Sequence, residues 1–485
     1  MPSERDVTSL DRDSSWEGVR AVVAGFGVSG FAAADTLNHL GASVIVLDES
    51  EGDDHRREQA HLLELLGVDV RLGPGATAAL PGDVDLVVTS PGWRPSSPLL
   101  VEAAGRGIPV WGEVELAWRL RGSDPAPWLA VTGTNGKTTT VQMLESILQA
   151  AGLRAQAVGN VGTPILEAVM DPAGRDVLAV ELSSFQLHWT YSMSAEAAAV
   201  LNLAPDHYDW HGGAQAYAAA KGKVYERVQK ACVYNVADPA TMHLVEEADV
   251  IEGARAIGFT LGIPDRGMVG IVDDLLVDRA FVEERATSAA ELAALSDLDD
   301  ASPHNVQNAL AAAALARAHG VPAVAVRDGL RAFRLGPHRI STVAEAGGVK
   351  WVDDSKATNP HAARASLQAF DRVVWVAGGL AKGATYDDLV RDVRDRLAGA
   401  VLIGADRDLI AAALAEHAPE VRVEVVEGAP GADGLMDAVV AAAQRLASPG
   451  DTVLLAPAAA SMDQFRDYAH RGDAFAQAAA RLARD

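Results

Sequence analysis

Short apolar stretches alternate with longer alanine-rich stretches along nearly the whole chain, and this rhythm limits the folds that it can adopt. RAVVA, beginning at Arg20, precedes a glycine turn and the alanine-rich FAAADTLNHLG, and ASVIVLDES repeats the apolar run. Continuous apolar runs of this length, separated by helical stretches, indicate parallel strands that helices cover on both faces. We therefore expect an α/β fold.

The rhythm is interrupted at two places, which divide the chain into three blocks. The polar, proline-bearing stretch RGSDPAP spans 121–127 after the first block, and the second block ends near FRLGPHR at 333–339. A chain of 485 residues also fits about three domains of ordinary size. We expect domains over residues 1–122, 123–337 and 338–485.

Composition argues against several classes of protein. The formal net charge of −25 disfavours nucleic-acid partners, which require a basic face. No apolar run is long enough to span a membrane, and the charged N-terminal stretch MPSERDVTSLDRDSS does not resemble a signal peptide. The single cysteine, Cys232, fits a reducing compartment, so we expect a cytoplasmic protein.

The first block carries a glycine turn between a strand and a helix. GFGVSG, spanning Gly25–Gly30, matches G-x-G-x-x-G, and Asp48 ends the next predicted strand. Such a turn lets the backbone approach a diphosphate at a helix N-terminus, and the carboxylate can bind a ribose hydroxyl. Taken alone, the motif is typical of NAD-binding domains, but tight strand–helix packing also requires glycines here.

The second block opens with a phosphate-loop sequence, TGTNGKTTT, after the apolar strand WLAV. It departs from the usual G-x-x-x-x-G-K-[ST] spacing, because its glycines, Gly133 and Gly136, are only three residues apart. The backbone amides up to Thr139 nevertheless favour an anion. Lys137 can reach the β- and γ-phosphates of a nucleotide, and Thr138 offers a hydroxyl to Mg²⁺.

Three further side chains in this block are open to two interpretations each. Glu181 ends a predicted strand in AVELSSFQL and can bind Mg²⁺ or simply be solvated. His207 in APDHYDWHGG can bind a metal through a neutral imidazole, although a loop histidine is more often only solvated. Lys221 shares a predicted helix face with Tyr217 and Tyr225. A lowered pKa there would let its neutral amine take up CO₂ as a carbamate; an ordinary exposed lysine is the alternative.

The stretch SPHNVQNALAAAALA, at 302–316, is a loop that enters a predicted helix. Asn305 and Asn308 share one face and could bind an adenine edge. Helix capping by Ser302 and Asn305 is the alternative explanation.

The order of these motifs resembles the Mur ligase family over nearly the whole chain, from Gly25 to Gly472. The motifs are the glycine turn, TGTNGKTT, ELSSFQL, N-x-x-x-D-H, A-x-x-x-K, H-N-x-x-N-A, G-P-H-R, DDSKATN at 353–359 and SMDQF at 461–465. Within the family, ELSSFQL, DDSKATN and SMDQF resemble the member that adds D-glutamate to UDP-N-acetylmuramoyl-L-alanine.

The resemblance implies a Rossmann-like N-terminal domain that binds the UDP substrate, a P-loop-type central ATPase domain, and a Rossmann-like C-terminal domain that binds the amino acid. It implies contacts with the UDP substrate at Val28, Ser29, Asp48, Ser90, Pro91, Gly92 and Asn160. It implies contacts with glutamate at Lys356, Thr358, Lys382, Ser461 and Tyr468. Tyr468 stands where the family usually has phenylalanine.

The implied reaction is an ATP-dependent amide ligation in the synthesis of peptidoglycan precursors. The L-alanyl carboxylate attacks the γ-phosphate of ATP, and the amine of D-glutamate then displaces phosphate from the acyl phosphate. Two Mg²⁺ ions and a lysine would offset the repulsion between the carboxylate and the triphosphate. The implied catalytic residues are Lys137, Glu181, His207 and Lys221.

The resemblance also implies a set of ligands for the ions and the nucleotide. The first Mg²⁺ would be held by Thr138 and Glu181, and the second by His207 and a CO₂-derived carbamate on Lys221. ATP would contact Gly133, Thr134, Asn135, Gly136, Lys137, Thr138, Thr139, Asn305, Asn308, Arg339 and Asp354. We expect a monomer with no nucleic-acid partner and no membrane span.

Three other activities compete with this one. An NAD(P)-dependent oxidoreductase would use Gly25–Gly30 and Asp48 but leaves the second phosphate loop unexplained. A non-catalytic nucleotide-binding protein would need no second metal site. A sister ligase that adds L-glutamate or another amino acid differs least from the ligase that adds D-glutamate.

Overall fold

The computed structural model describes residues 6–160, 162–428 and 434–482. It divides into two compact units. The first unit comprises Met1–Leu203 and Gln215–Phe333, and the second comprises Ala204–Ala214 and Arg334–Asp485. The described residues form three sheets, which contain five, nine and six strands. One sheet forms in each block of the sequence, so the expected three-part α/β organisation is confirmed.

The first sheet belongs to the first unit and is wholly parallel. Its elements are β1 (Arg20–Ala24), α1 (Val28–His39), β2 (Ser43–Asp48), α2 (Asp54–Leu65), β3 (Asp69–Leu72), β4 (Leu86–Thr89), α3 (Pro98–Gly105), β5 (Val110–Gly112) and α4 (Glu113–Arg119). The strand order is β3-β2-β1-β4-β5. The order reverses between β1 and β4, and ligands of open α/β sheets bind at such a switch point.

The second sheet also belongs to the first unit, in the order β14-β13-β12-β11-β10-β9-β6-β8-β7. Its strands are β6 (Trp128–Thr132), β7 (Ala155–Gly159), β8 (Val177–Glu181), β9 (Ala197–Val200), β10 (Ala231–Asn235), β11 (Arg255–Phe259), β12 (Met268–Val272), β13 (Leu275–Asp278) and β14 (Ala290–Ala294). Strands β12 to β14 pair antiparallel, a feature that the sequence rhythm did not predict.

The α-helices of this part of the chain belong to the first unit, except the one within Ala204–Ala214, which belongs to the second. They are α5 (Lys137–Ala150), α6 (Ile165–Met170), α7 (Ser184–His188), α8 (Tyr208–His211), α9 (Ala214–Gly222), α10 (Pro239–Glu246), α11 (Pro303–His319) and α12 (Ala323–Ala332). Every residue of β6, β8 and β9 is buried, which explains why these strands are continuous apolar runs in the sequence.

The third sheet lies in the second unit, in the order β15-β16-β20-β17-β18-β19. Its elements are β15 (Ser341–Ala346), β16 (Val349–Asp353), α13 (Pro360–Gln368), β17 (Val373–Gly378), α14 (Asp387–Val393), β18 (Leu397–Ile403), α15 (Arg407–His417), β19 (Val423–Val425), α16 (Leu435–Leu446), β20 (Thr452–Leu455) and α17 (Tyr468–Leu482). β15 and β16 form an antiparallel hairpin, and the other pairs are parallel. None of the helices in the described residues is both long and apolar enough to cross a membrane.

A buried carboxylate joins the first two sheets inside the first unit. Glu115 on α4 is completely buried, and its Oε2 accepts hydrogen bonds from the backbone amides of Tyr191 at 2.7 Å and Ser192 at 2.9 Å. Its Oε1 accepts from Ser192 Oγ and Arg119 Nε, both at 2.7 Å. Since four donors surround the carboxylate, α4 is held against the chain that follows α7.

Replacing Glu115 with glutamine should lower the free energy of unfolding of the first unit by about 2 kcal/mol, because hydrogen bonds to a charged group are lost and an amide faces backbone donors. Denaturant unfolding followed by tryptophan fluorescence measures the change. Glu58→Gln, on the exposed side of α2, is the control. Equal unfolding midpoints for Glu115→Gln and the control would contradict this role.

Candidate active site

The phosphate loop lies at the carboxyl end of β6, between two neighbouring strands. β6 pairs with β8 and with β9, so that Val131 is opposite Glu181 and Thr132 is opposite Val200. The carboxyl ends of parallel strands meet at one edge of the sheet. The loop, Glu181 and the residues that follow β9 are therefore brought together, as the sequence predicted for the loop and Glu181.

Two glycines shape the loop, and α5 begins directly after it. Gly136 has a φ of +85°, and a Cβ atom there would lie 2.3 Å from Asn308 Oδ1 on α11. The close approach requires glycine and places Asn308 beside the loop. Asn308 Nδ2 donates to Asn305 Oδ1 at 3.3 Å. Ser302 is the N-cap residue of α11 without a side-chain cap hydrogen bond, so the capping alternative is wrong for Ser302.

Asn202 holds the loop through three hydrogen bonds. Its Oδ1 accepts from the backbone amide of Asn135 at 2.9 Å, and its Nδ2 donates to the carbonyl oxygen of Asn135 at 3.1 Å. Its own carbonyl oxygen accepts from the amide of Thr134 at 3.0 Å. Asn202 is the asparagine of the N-x-x-x-D-H motif, but no role was predicted for it. The available signal was an amide side chain directly after an apolar strand that neighbours the loop strand.

Both lysines of the site contact the backbone of the loop. Lys137 Nζ donates to the carbonyl oxygens of Gly133 and Thr134, both at 2.9 Å. Lys221 is 2% exposed, and its Nζ donates to the carbonyl oxygen of Gly133 at 2.8 Å. The alternative of an exposed lysine at 221 is therefore wrong.

Tyr217 and Tyr225 do not flank Lys221 in the way that a continuous helix would place them. Tyr217 lies 4.9 Å below Lys221 Nζ, measured to the ring centre, and its hydroxyl shares a 2.8 Å hydrogen bond with Thr134 Oγ1. The helix α9 ends at Gly222, and Tyr225 belongs to a following 3-10 helix, where its hydroxyl donates to the carbonyl oxygen of Val233 at 2.6 Å. Of the two tyrosines, Tyr217 is therefore the one that lies against Lys221 and also contacts the loop.

Glu181 is buried, so the alternative of a solvated glutamate is wrong. The residue is 1% exposed, and its Oε1 accepts from Asn160 Nδ2 at 2.9 Å. Its Oε2 is buried and has no hydrogen-bond partner among the described residues. A buried carboxylate oxygen without a donor is costly, and carboxylates are preferred ligands of Mg²⁺. Glu181, with the buried Thr138 on the neighbouring α5, fits a cation site.

The glycine turn of the first sheet gathers its own group of predicted residues. The amide of Phe26 donates to Asp48 Oδ2 at 2.6 Å, and Ser90 Oγ donates to the carbonyl oxygen of Gly25 at 3.2 Å. A Cβ at Gly30 would lie 2.0 Å from the Gly25 carbonyl oxygen. Tight strand–helix packing therefore explains Gly30, while Asp48 and Ser90, with Pro91 and Gly92 next in the chain, lie beside the turn.

Val28 and Ser29 begin α1, but their side chains have different surroundings. Val28 is 70% exposed. Ser29 Oγ donates at 2.7 Å to Glu113 Oε2, a buried carboxylate whose pKa is raised by burial. The Ser29 hydroxyl thus has a partner within the protein, and Val28 presents an apolar surface to solvent.

The second unit brings together several residues that were predicted to bind glutamate. Lys356 Nζ lies 3.9 Å from the centre of the Tyr468 ring, and the amide of Thr358 donates to the carbonyl oxygen of Lys356 at 2.8 Å. Leu380 and Ala460 form an isolated antiparallel bridge, from which the chains towards Lys382 and Ser461 leave in opposite directions, so the pairing of these two residues stays a prediction.

Asp354 and its neighbours form a buried polar cluster in the same unit. Burial raises the pKa of Asp354 to about 6, and Ser366 Oγ donates to it. His338 Nδ1 and Asp353 Oδ2 are 2.6 Å apart, and a Cβ at Gly472 would lie 2.2 Å from His338 Nδ1. The sequence analysis assigned no role to His338 or Asp353, because nothing in their spacing shows that they pair.

His207 and Arg339 also belong to the second unit. His207 precedes α8 with a φ of +54°, and its Nε2 lies 3.4 Å from Asp206 Oδ2. The pairing of these two residues with the phosphate loop stays a prediction.

Three family models match the chain, one for each sheet. The Mur ligase MurD-like N-terminal domain matches residues 19–112, the Mur ligase middle domain matches 131–316, and the Mur ligase glutamate ligase domain matches 338–459. Together they span most of the chain.

Curated relatives match over nearly the full length. UDP-N-acetylmuramoylalanine–D-glutamate ligase of Streptomyces coelicolor is 62% identical, covering 97% of this chain and 99% of the relative. The protein of the same name from Streptomyces avermitilis is 61% identical, covering 96% and 98%.

Solved structures share the fold at low sequence identity. The UDP-N-acetylmuramate-alanine ligase MurC of Thermotoga maritima has a TM-score of 0.54 at 19% identity, with 95% of this chain and 98% of that chain covered. MurF from Acinetobacter baumannii has a TM-score of 0.56 at 17% identity, with 98% and 92% covered. At such identities, the likeness concerns the fold alone.

Replacing Asn202 with leucine should weaken ATP binding about tenfold, since a loop amide and a loop carbonyl lose their side-chain partners. Isothermal titration with ATP measures the dissociation constant. Asn38→Leu is the control, because Asn38 donates only to the carbonyl oxygen of Leu66 on the first sheet's helices. An unchanged ATP affinity in Asn202→Leu would show that the loop keeps its shape without this residue.

Proposed function

The chain belongs to the Mur ligase family, and from this premise we propose that it joins D-glutamate to UDP-N-acetylmuramoyl-L-alanine in peptidoglycan synthesis. The family's activity is ATP-dependent formation of an amide bond. The observation that carries the proposal is the buried carboxylate of Glu181 beside a phosphate loop that also contacts buried Lys221. An oxidoreductase or a passive nucleotide-binding protein needs no such group.

Charge is the main obstacle to the reaction. The L-alanyl carboxylate attacks the γ-phosphorus of ATP, which forms an acyl phosphate and releases ADP. The amine of D-glutamate then attacks the acyl carbon, loses a proton and displaces phosphate. Lys137, which donates to the loop carbonyls, would give its charge to the transferred phosphoryl group.

Magnesium would be held by Thr138 and Glu181 at the first position and by His207 and a modified Lys221 at the second. The bound ions supply positive charge that lowers the repulsion between the two anions. The unpartnered Oε2 of Glu181 supports the first position, and Asn160 orients this carboxylate through its other oxygen.

Lys221 is proposed to carry a carbamate. Its neutral Nζ adds to the carbon of CO₂ and releases one proton, which turns a cation into an oxygen ligand. Burial supports the neutral form of a lysine, and Lys221 is buried within the second sheet's layer of helices. The loop carbonyl of Gly133, 2.8 Å from Nζ, would keep the modified side chain beside the phosphates.

The remaining substrate contacts are proposed from the family's motifs. UDP would lie at the glycine turn with Val28, Ser29, Asp48 and Ser90 to Gly92. The nucleotide would use Asn305, Asn308, Arg339 and Asp354, and glutamate would use Lys356, Thr358, Lys382, Ser461 and Tyr468. Domains over 1–122, 123–337 and 338–485, a monomeric state and a cytoplasmic location complete the proposal.

The amino-acid specificity can be tested by following phosphate release from ATP. We expect release only when UDP-N-acetylmuramoyl-L-alanine and D-glutamate are both present, because the acyl phosphate needs the first and its breakdown needs the second. The panel includes L-glutamate, L-lysine and D-alanine. Release that is independent of either substrate contradicts a ligase, and a preference for L-glutamate identifies the sister activity.

Replacing Lys221 with alanine should reduce the rate of ligation about 100-fold, in line with the loss of a metal ligand. Added acetate or formate should restore part of the rate, because a short carboxylate can fill the place of the carbamate. Lys223→Ala is the matched control, since Lys223 donates to the carbonyl oxygen of His188 instead of the loop. Full activity in Lys221→Ala would rule out the carbamate.

A further inference from the structure

A cavity of about 220 Å³ lies in the first unit, away from the phosphate loop. Trp128, the first residue of β6, lines it, whereas Thr132 at the other end of β6 leads into the loop. Four steps of about 3.3 Å separate the two ends of the strand by about 13 Å. The cavity is therefore distinct from the candidate active site.

A half-buried arginine, Arg121, lines the cavity, and few groups of the protein offset its charge. The Nε of Arg121 donates to the carbonyl oxygen of Trp118 at 2.9 Å, and its guanidinium lies over the Trp118 ring. No carboxylate within the described part of the chain pairs with it, and its terminal N–H groups have no acceptor there. A guanidinium offers five donors, so most of those of Arg121 are available to a ligand. Burial lowers the pKa of Arg121 to about 10, which leaves the group charged at neutral pH.

A second donor in the wall also lacks an acceptor. Trp128 is 1% exposed, and its indole Nε1 is buried with no hydrogen-bond partner among the residues that the structure describes. A buried N–H without an acceptor costs free energy. Because this nitrogen is itself inaccessible, the donors that a ligand in the cavity can reach are those of Arg121.

The charges around the cavity favour an anion, although the chain as a whole carries −25. Asp171 is paired with Arg175 at 2.9 Å, so these two charges offset each other. Arg12 donates to the carbonyl oxygen of Val169 at 3.3 Å, and Asp124 is exposed to solvent. Arg12 and Arg121 therefore outnumber the one remaining carboxylate of the lining.

We propose that this cavity binds a small organic carboxylate with an apolar, ring-sized body. A guanidinium binds a carboxylate through two parallel hydrogen bonds, which suits the terminal nitrogens of Arg121. A cavity of about 150 Å³ is large enough for benzene, so the volume here admits a ring and a carboxylate. The side chains of Pro125, Ala126 and Val169, which are not buried, supply apolar surface for the ring.

Such a ligand would contact both α6 and the segment that connects the two sheets of the first unit, and it would hold them together. Arg121, Gly122 and Asp124–Ala126 come from that segment, and Ala168 and Val169 come from α6. A ligand that binds the folded state alone raises the free energy of unfolding. Occupancy should therefore raise the unfolding temperature of the first unit.

Benzoate is the probe, used with the full chain in isothermal titration and thermal unfolding. We expect saturable binding with a dissociation constant on the order of 1 mM or lower, which ATP does not displace. Benzyl alcohol, which has the ring without the charge, should bind at least about tenfold more weakly. No saturable binding of benzoate, or its displacement by ATP, would overturn the proposal.

Arg121→Met should weaken benzoate at least about tenfold and leave the ligation rate unchanged, because Arg121 is outside the active site. Arg71→Met is the matched control, since Arg71 is an exposed arginine on β3 that pairs with Asp69 at 2.5 Å and is not in the lining of the cavity. Arg121→Lys keeps the positive charge but cannot form two parallel hydrogen bonds to a carboxylate. It tests the role of Arg121 in binding benzoate if the methionine variant does not fold. Benzoate affinity that is equal in wild type and in the folded Arg121 variants refutes the site, and tighter binding of phenyl phosphate refutes its specificity for a carboxylate.

Discussion

The register of β6 between β8 and β9 determines the geometry of the candidate active site in the first unit. It sets Val131 opposite Glu181 and Thr132 opposite Val200, so the phosphate loop, the buried carboxylate of Glu181 and Asn202 lie at one edge of the sheet. A shift by one residue would turn every side chain of the strand to the other face. Because β6 is buried on both faces, the apolar core specifies the register, and the polar residues of the site depend on it.

Buried charges in this unit serve two different purposes, and their hydrogen bonds distinguish them. Glu115 is surrounded by four donors, which offset the cost of removing the carboxylate from water. Glu181 is equally buried, yet one of its oxygens has no donor among the described residues. Both oxygens of Glu115 therefore stabilise the fold, whereas one oxygen of Glu181 is available to a ligand.

The sequence predicted those elements that depend on residues close to one another in the chain. Apolar runs identified the parallel strands, and the glycine spacing identified the two turns after which α1 and α5 begin. Contacts between residues distant in sequence were not predicted, such as that of Asn202 with Asn135 and that of His338 with Asp353. Tyr225 was placed on the wrong surface, because helix periodicity does not reveal that α9 ends at Gly222. The antiparallel strands β12 to β14 were missed for a similar reason, since their pairing depends on turns and not on apolar content.

Two arginines likewise differ in how many of their donors have an acceptor within the protein. Arg471 in the second unit is 1% exposed, and burial lowers its pKa to about 10. It donates to both oxygens of Ser355, each at 2.9 Å, and to the carbonyl oxygens of Ala459 at 3.2 Å and Gly378 at 3.4 Å. Arg121 has a pKa lowered to the same value but makes one hydrogen bond. The donors of Arg471 therefore have acceptors within the second unit. Most donors of Arg121 lie beside a cavity instead, where a ligand can supply the acceptors.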